Sequence, residues 1–207
     1  EITVVHGELL NKKGRLVKEN TYKQKTVFYT DGTERRMHCR FTWFGFQYFE
    51  VKGNAKVVDC VVIHSDVKVD STFSCSDETL NWLREAYLRT QLDNMHCGIP
   101  SDCPHVERRG YTGDGQLTCN AAMIQLDGEK FYRKWIQDIA DCQDSITGHV
   151  QYTAPYIPSG GGPGGWGCAI VMVPYVFYRN YGDETVLKEL YPQMLHYLDY
   201  LEDHSEK

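Results

Sequence analysis

Val57-Val58-Asp59-Cys60-Val61-Val62-Ile63 gives way, further along, to Ser76, Leu80, Leu83 and Tyr87. The first run is β-branched and reads as a strand. The second group puts apolar residues on one helical face behind Ser76, a serine fit to cap a helix start. The hydrophobic period therefore changes near Asp70, and that change decides the fold class: β first, α after.

Working back from the switch, strands are expected at Thr3–His6, Lys25–Tyr29, Phe41–Phe44 and Tyr48–Val51 as well as Val57–Ile63. Turn residues at Asn11–Gly14, Asp31-Gly32 and Gly53-Asn54 punctuate them. Short strands at this spacing predict part of a β-sandwich over residues 1–70. Working forward, helical spacing recurs over about 115–127, 129–142, 169–181 and 184–203. In the last, Leu187, Leu190, Met194, Leu198 and Leu201 form one apolar stripe. Pro192 interrupts that stripe and predicts a kink or a fresh helix start. Successive helices fit antiparallel hairpins. About five helices cannot close a barrel of such hairpins, and the chain runs out on the charged Glu202–Lys207 without a closing element. The sequence is read as a fragment at both ends.

Two irregular stretches, 93–112 and 145–167, separate the helices, and loops of this length in a compact domain usually carry function. The glycines at 160–165 lack the strand–G-x-G-x-x-G–helix order and the Walker lysine of a phosphate loop. The 207 residues suffice for one or two domains with a core. A formal net charge of −6 excludes an ordinary nucleic-acid binder, which carries basic patches. No run approaches the ~18 apolar residues of a membrane span, and Glu1-Ile2-Thr3-Val4-Val5 has no charged n-region or cleavage site of a targeting peptide. A cytoplasmic or periplasmic location in a bacterium stays open, as does the oligomeric state. The eight cysteines, Cys39, Cys60, Cys75, Cys97, Cys103, Cys119, Cys142 and Cys168, form no C-x-x-C pair. They read as free, mostly buried thiols, which disfavours a strongly oxidising compartment. His96, Cys97 and His105 match no metal spacing, so neither metal nor cofactor is expected.

The chemistry concentrates in Ile99-Pro100-Ser101-Asp102-Cys103-Pro104-His105-Val106-Glu107-Arg108-Arg109-Gly110-Tyr111-Thr112-Gly113-Asp114. Three carboxylates lie among prolines that stiffen the chain and glycines that permit tight turns. Acid-catalysed glycosidic cleavage needs a carboxylic acid that stays protonated near neutrality, and neighbouring carboxylates raise a pKa for that purpose. Asp102 and Asp114 stand where they would do this for Glu107, with Arg108 or Arg109 orienting the network or gripping hydroxyls. A solvated charged loop in which Asp114 caps the following helix accounts for the same residues. His149 and Tyr152, in the second loop, fit either a pocket wall or packing.

Asp102–Gln116 resembles the signature of the α-L-rhamnosidases of glycoside hydrolase family 78, which reads roughly D-C-P-x-R-E-R-L-G-W-T-G-D-A-Q. Phe41–Val51 is similar to the family's F-x-Y-H-G-F-R-Y-x-x-V. Trp166-Gly167-Cys168-Ala169, Val173-Pro174 and Tyr191-Pro192 resemble its W-G-D-A, I-P-W and Y-P elements. These ordered matches run from Phe41 to Pro192. The resemblance implies a β-sandwich over residues 1–70 followed, over 71–207, by the first hairpins of an (α/α)6 barrel. It implies an inverting hydrolase of terminal α-L-rhamnosides in which Glu107 is the general acid. It further implies that Asp102, Asp114 and Arg108 bind the sugar, that Tyr111 takes the place of a pocket tryptophan, and that Trp166 walls the ring. The partner it implies is a rhamnose-containing glycoside. The general base lies beyond residue 207 in this reading, so the piece alone is expected to be inactive. Val106, Arg109, Tyr111 and Cys168 depart from the family's Arg, Leu, Trp and Asp, and point to a subgroup with altered sugar or aglycone preference. Two other readings stand beside the enzyme: a non-catalytic carbohydrate-binding or scaffold protein, and a related (α/α)6 hydrolase for another sugar.

Overall fold

Three strands open the chain: β1 (Ile2–Gly7), β2 (Lys25–Phe28) and β3 (Tyr48–Lys52). They form one antiparallel sheet in the order β2-β1-β3, with Val4 opposite Thr26 on one side and Val51 on the other. The computed structural model describes residues 1–17 and 23–205; Glu206 and Lys207 of the charged end lie outside the described residues. The chain divides into two compact units. One comprises Glu1–Ile63 with Cys103–Arg108, the other His64–Asp102 with Arg109 onward.

In the first unit, two expected strands are absent. Phe41–Phe44 and Val57–Ile63 have strand composition but no ladder. β propensity is realised only when a neighbouring backbone completes the hydrogen bonds. Among the described residues no ladder forms over 57–63, where Val58, Val61 and Val62 are largely exposed. The 41–44 stretch gives the reason more directly. The Trp43 carbonyl accepts from Arg108 Nη1 at 2.9 Å, and the Gly45 N–H donates to the Pro104 carbonyl at 2.9 Å. The Gly45 carbonyl in turn accepts from Gln24 Nε2 at 2.8 Å. These backbone groups hold a loop instead of a strand.

The second unit is built on five helices: α1 (Glu78–Asp93), α2 (Thr112–Gln125), α3 (Glu129–Asp141), α4 (Ala169–Tyr181) and α5 (Thr185–Asp203). α4 packs against α2, α3 and α5. Trp135, Tyr132, Ile170, Val173, Phe177 and Tyr197 are sealed in the core this creates. The caps and faces differ from expectation in instructive ways. Asp77, not Ser76, caps α1: its Oδ1 accepts from the Thr79 and Leu80 N–H groups, and a carboxylate also meets the positive end of the helix dipole. Leu80 and Leu83 are exposed, and α1 instead buries Leu88 and Gln91. α5 passes through Pro192 as one assigned helix, without a fresh start. Its buried face is Val186, Leu190, Met194, Tyr197 and Tyr200, while Leu198 is exposed. Packing of this face offsets the one ladder hydrogen bond a proline removes.

Within the 93–112 stretch lies a small hairpin, β4 (Met95–His96) against β5 (Ile99–Pro100). Its two-residue turn, Cys97-Gly98, has φ of 55° and 72°, the doubly positive geometry that matches strand twist. Asn-Gly would have signalled it; Cys-Gly does not. The cysteines are free but mostly not buried: Cys60, Cys75 and Cys97 are exposed and only Cys119 is fully enclosed. Burial pushes the Cys119 thiol up to about 11, so at neutral pH it is a small hydrophobe.

Candidate active site

The loop that carries Glu107 begins and ends on a staple. The Asp102 N–H donates to the Arg109 carbonyl at 3.0 Å, and the Arg109 N–H donates back to Asp102 Oδ1 at 3.0 Å. One Asp102 oxygen is thereby committed to fixing the loop's two ends. Between them, Cys103–Arg108 groups with the first unit. There the Arg108 guanidinium bonds the Trp43 carbonyl and lies 5.8 Å from the Phe44 ring centroid. Arg108 has φ 56°, a left-handed conformation that a long side chain rarely adopts and that needs its surroundings to hold it. Glu107, immediately before it, is exposed.

The remaining sequence-assigned residues belong to the second unit, where the two long loops meet at the start of α2. The Ala154 N–H donates to the Gly110 carbonyl at 2.9 Å, Tyr111 bridges Thr153, and Thr112 donates its N–H to the Tyr152 carbonyl at 2.8 Å. The loop backbone thus satisfies an N–H at the start of α2 that has no partner within the helix. Asp114 is consequently not the cap; Tyr111 occupies that position without a side-chain bond, and Asp114 is exposed in the first turn.

Trp166 comes to the same place from the far end of the second loop. It lies in a short 3₁₀ turn, Gly165–Cys168, and the Gly165 carbonyl accepts from Gln116 Nε2 of α2 at 2.9 Å. The indole rests on Gly113: a Cβ built there would fall 2.1 Å from Trp166 Nε1. Its centroid is 5.2 Å from that of Tyr152, the rings tilted by 57°, and Trp166 remains 43% exposed. Beneath the turn, Tyr197 of α5 points its hydroxyl at Cys168 Sγ, 3.8 Å away, and packs against Gly167. Tyr111, Asp114, Trp166 and Tyr152 are therefore brought together around one helix end, while Glu107 and Arg108 are placed in the first unit.

A partly exposed indole and an exposed carboxylate thus come from the same helix end, and together they are the kind of groups that can receive a sugar ring, whose apolar CH faces stack and whose hydroxyls donate to an acid. Among the described residues no cluster of three metal-ligating side chains occurs, and no helix is long and apolar enough to cross a membrane. A concavity of about 450 Å³ lies elsewhere, lined by Lys130, Arg133, Lys134, Glu189 and Leu190. Two of its cations are engaged in ion pairs, Arg133 with Asp183 and Lys134 with Asp138.

Residues 68–207 match the bacterial alpha-L-rhamnosidase 6 hairpin glycosidase domain, and residues 1–69 match the bacterial alpha-L-rhamnosidase concanavalin-like domain. The chain belongs to the bacterial α-L-rhamnosidase family. A curated alpha-L-rhamnosidase of Streptomyces avermitilis is 33% identical over 211 residues, which cover 97% of this chain and 20% of that protein. One from Formosa agariphila is 32% identical over 170 residues, covering 75% and 18%. Among solved structures, an alpha-L-rhamnosidase from Dictyoglumus thermophilum superposes with a TM-score of 0.87 at 31% identity, over 98% of this chain and 24% of that one. The Streptomyces avermitilis alpha-L-rhamnosidase complexed with L-rhamnose gives 0.86 at 31%, over 99% and 21%. This chain spans about one fifth of the length of these curated relatives. The expected order, a sandwich part and then six-hairpin helices, holds.

Within a rhamnosidase framework the departures acquire surroundings. Cys168, where the family pattern has Asp, faces the Tyr197 hydroxyl instead of presenting a charge. His149, left open between pocket and packing, has its ring 5.4 Å from that of Tyr200 and tucks Nε2 beneath Gly161. Tyr152 stands beside Trp166. The sequence singled out no role for Tyr197, and read Gly113 only as one of the glycines of the carboxylate loop. Tyr197 had a signal, since it falls three residues after Met194 on the buried face of α5; Gly113 had none beyond being glycine in a helix.

Proposed function

We propose that this chain carries the general-acid half of an inverting α-L-rhamnosidase site. In this reading residues 1–70 are the C-terminal part of a β-sandwich and residues 71–207 the N-terminal part of an (α/α)6 barrel. Glu107 delivers its proton to the glycosidic oxygen as the bond from the anomeric carbon to that oxygen breaks. Water attacks the opposite face of the sugar and yields its proton to a carboxylate outside residues 1–207, releasing L-rhamnose and the free aglycone. Asp102 and Asp114 take the sugar hydroxyls, and Trp166 and Tyr111 flank the ring. Glu107 is exposed in this chain, so its shielding from water falls to the bound sugar and to residues beyond the chain. The observation that carries the reading is the partly exposed Trp166 indole resting on Gly113, one residue before the exposed Asp114 in the first turn of α2, in a chain of this family.

The test is turnover of an aryl α-L-rhamnoside by the full-length gene product, with the anomer released first followed by NMR. Glu107→Gln is expected to lower kcat by about 10²–10⁴-fold; unchanged turnover would remove Glu107 from the role. A second reading is favoured by Cys168, which removes a charge from the wall: a sugar-binding protein that does not hydrolyse. Calorimetric binding of rhamnose without turnover selects it.

A further inference from the structure

We propose that Gly113 is a positioning residue for Trp166, because the missing side chain there lets the indole lie on the first turn of α2. The inference rests on the reading of Trp166 as the wall of the sugar site. A methyl group at 113 would meet three ring atoms, Nε1 at 2.1 Å, Cδ1 at 2.3 Å and Cε2 at 2.5 Å. No real Cβ contact is that short, so something has to move.

The surroundings decide what moves. The backbone at 113 is buried at the start of α2 and pinned by its neighbours: Thr112 N–H bonds the Tyr152 carbonyl, and Gly115 N–H bonds the Tyr111 carbonyl at 3.0 Å. The indole, by contrast, is 43% exposed and reaches out from a short turn whose glycines 164 and 165 have φ of 78° and 57°. The ring yields, not the helix. Gly113 does not adopt a positive φ, so no backbone requirement explains a glycine at this position. Alanine is the better helix former, and helix propensity opposes the choice as well. The contact with Trp166 is the reason that remains.

The consequence is a division of labour in which a residue that never touches the sugar sets where the sugar's wall stands. Displacing a stacking ring removes binding that ground state and transition state share, and so acts on KM more than on kcat. The experiment uses the full-length gene product and a 4-nitrophenyl α-L-rhamnoside, with Gly113→Ala, Trp166→Ala and the double variant. Gly113→Ala is expected to raise KM about tenfold with kcat within about threefold. In the Trp166→Ala background the same change is expected to add nothing, since the ring it displaces is gone. A multiplied KM in the double variant overturns the proposal, because Gly113 would then act through something else. A crystal structure of Gly113→Ala separates the two layers of the claim. A displaced indole with unchanged KM upholds the positioning and removes Trp166 from the sugar site; an indole in its original place overturns the positioning. Should Gly113→Ala accumulate poorly, recovery of soluble protein in the double variant supports the contact, and failure to recover counts against it.

Discussion

Two tryptophans meet two glycines on opposite sides of the same helix turn, and they serve different ends. Trp135 lies against Gly115, fully buried, with its indole N–H donating to the Ala154 carbonyl at 3.1 Å. Trp166 lies against Gly113 and is 43% exposed. Both contacts use the same local device, a glycine that lets an indole approach the helix backbone. The first closes the core and pins the second long loop, whereas the second leaves the indole partly uncovered. The difference teaches that a close contact acquires its meaning from what surrounds it: enclosed on all sides it is stability, and open on one side, in the proposed reading, it is a binding surface.

The comparison breaks most readily at the tryptophans. Trp135→Ala is expected to destabilise the helical unit by about 3–5 kcal/mol, from lost burial and the cavity left behind, with Ala154 losing its donor. Trp166→Ala is expected to cost less than about 1 kcal/mol, as partly exposed residues do, while weakening rhamnose binding. Hydrogen exchange across α2 and α3 measures the first, and calorimetry with L-rhamnose measures the second. Equal losses of stability in the two variants would dissolve the distinction.

The glycines sharpen it. Gly115→Ala places a Cβ 2.1 Å from Trp135 Cη2, and overpacking a sealed core costs about 1–3 kcal/mol, less the fraction regained from helix propensity. Its signature is lower stability with KM unchanged, the reverse of that expected for Gly113→Ala. Gly45→Ala asks whether the loop that carries Glu107 behaves as core or as site. There the added carbon falls 2.7 Å from the Pro104 backbone, which has no side-chain freedom to absorb it. A drop in kcat of about tenfold with little change in stability is expected if the loop holds the acid. A stability loss without a change in kcat would mark it as structural.

The smallest effect is electrostatic. Asp183 accepts from the Thr185 hydroxyl and N–H, at 2.6 and 2.9 Å, and pairs with Arg133. The Thr185 bonds, first the hydroxyl and then the N–H, hold the carboxyl below its ordinary value of 3.8, with Arg133 adding to the effect. A lowered folded value means that the contribution is present above pH 3.8 and fades as pH falls through the lower folded value. Asp183→Asn is therefore expected to lower stability slightly above pH 3.8 and to converge with the parent at lower pH, which flattens the acid limb of the unfolding curve. An acid limb identical to that of the parent would contradict the sign.

How much of this was legible in the sequence follows the same division. The helices of the enclosed region were readable because burial imposes a period: α3 and α4 start where the spacing places them, and α4 ends there too. The strands at Phe41–Phe44 and Val57–Ile63 were not, because strand formation depends on a partner backbone that composition does not name. The Trp43 and Gly45 backbone is occupied by Arg108, Pro104 and Gln24 instead. At the candidate site, Asp102, Asp114, Tyr111 and Trp166 were accessible through their motif. The staple that commits Asp102 Oδ1 to the Arg109 N–H was not, since a carboxylate that fixes a loop and one that meets a ligand look alike in sequence. The contact of Gly113 with Trp166 was hidden for a related reason: a helical period reports which face is buried, but not which loop crosses it.

The most direct measurement is a crystal structure of the full-length gene product with L-rhamnose bound. The account predicts the sugar ring against the Trp166 indole, a hydroxyl on the Asp114 carboxylate, and Glu107 within hydrogen-bonding reach of the anomeric oxygen. Rhamnose bound in a site that excludes Trp166 and Asp114 would contradict it.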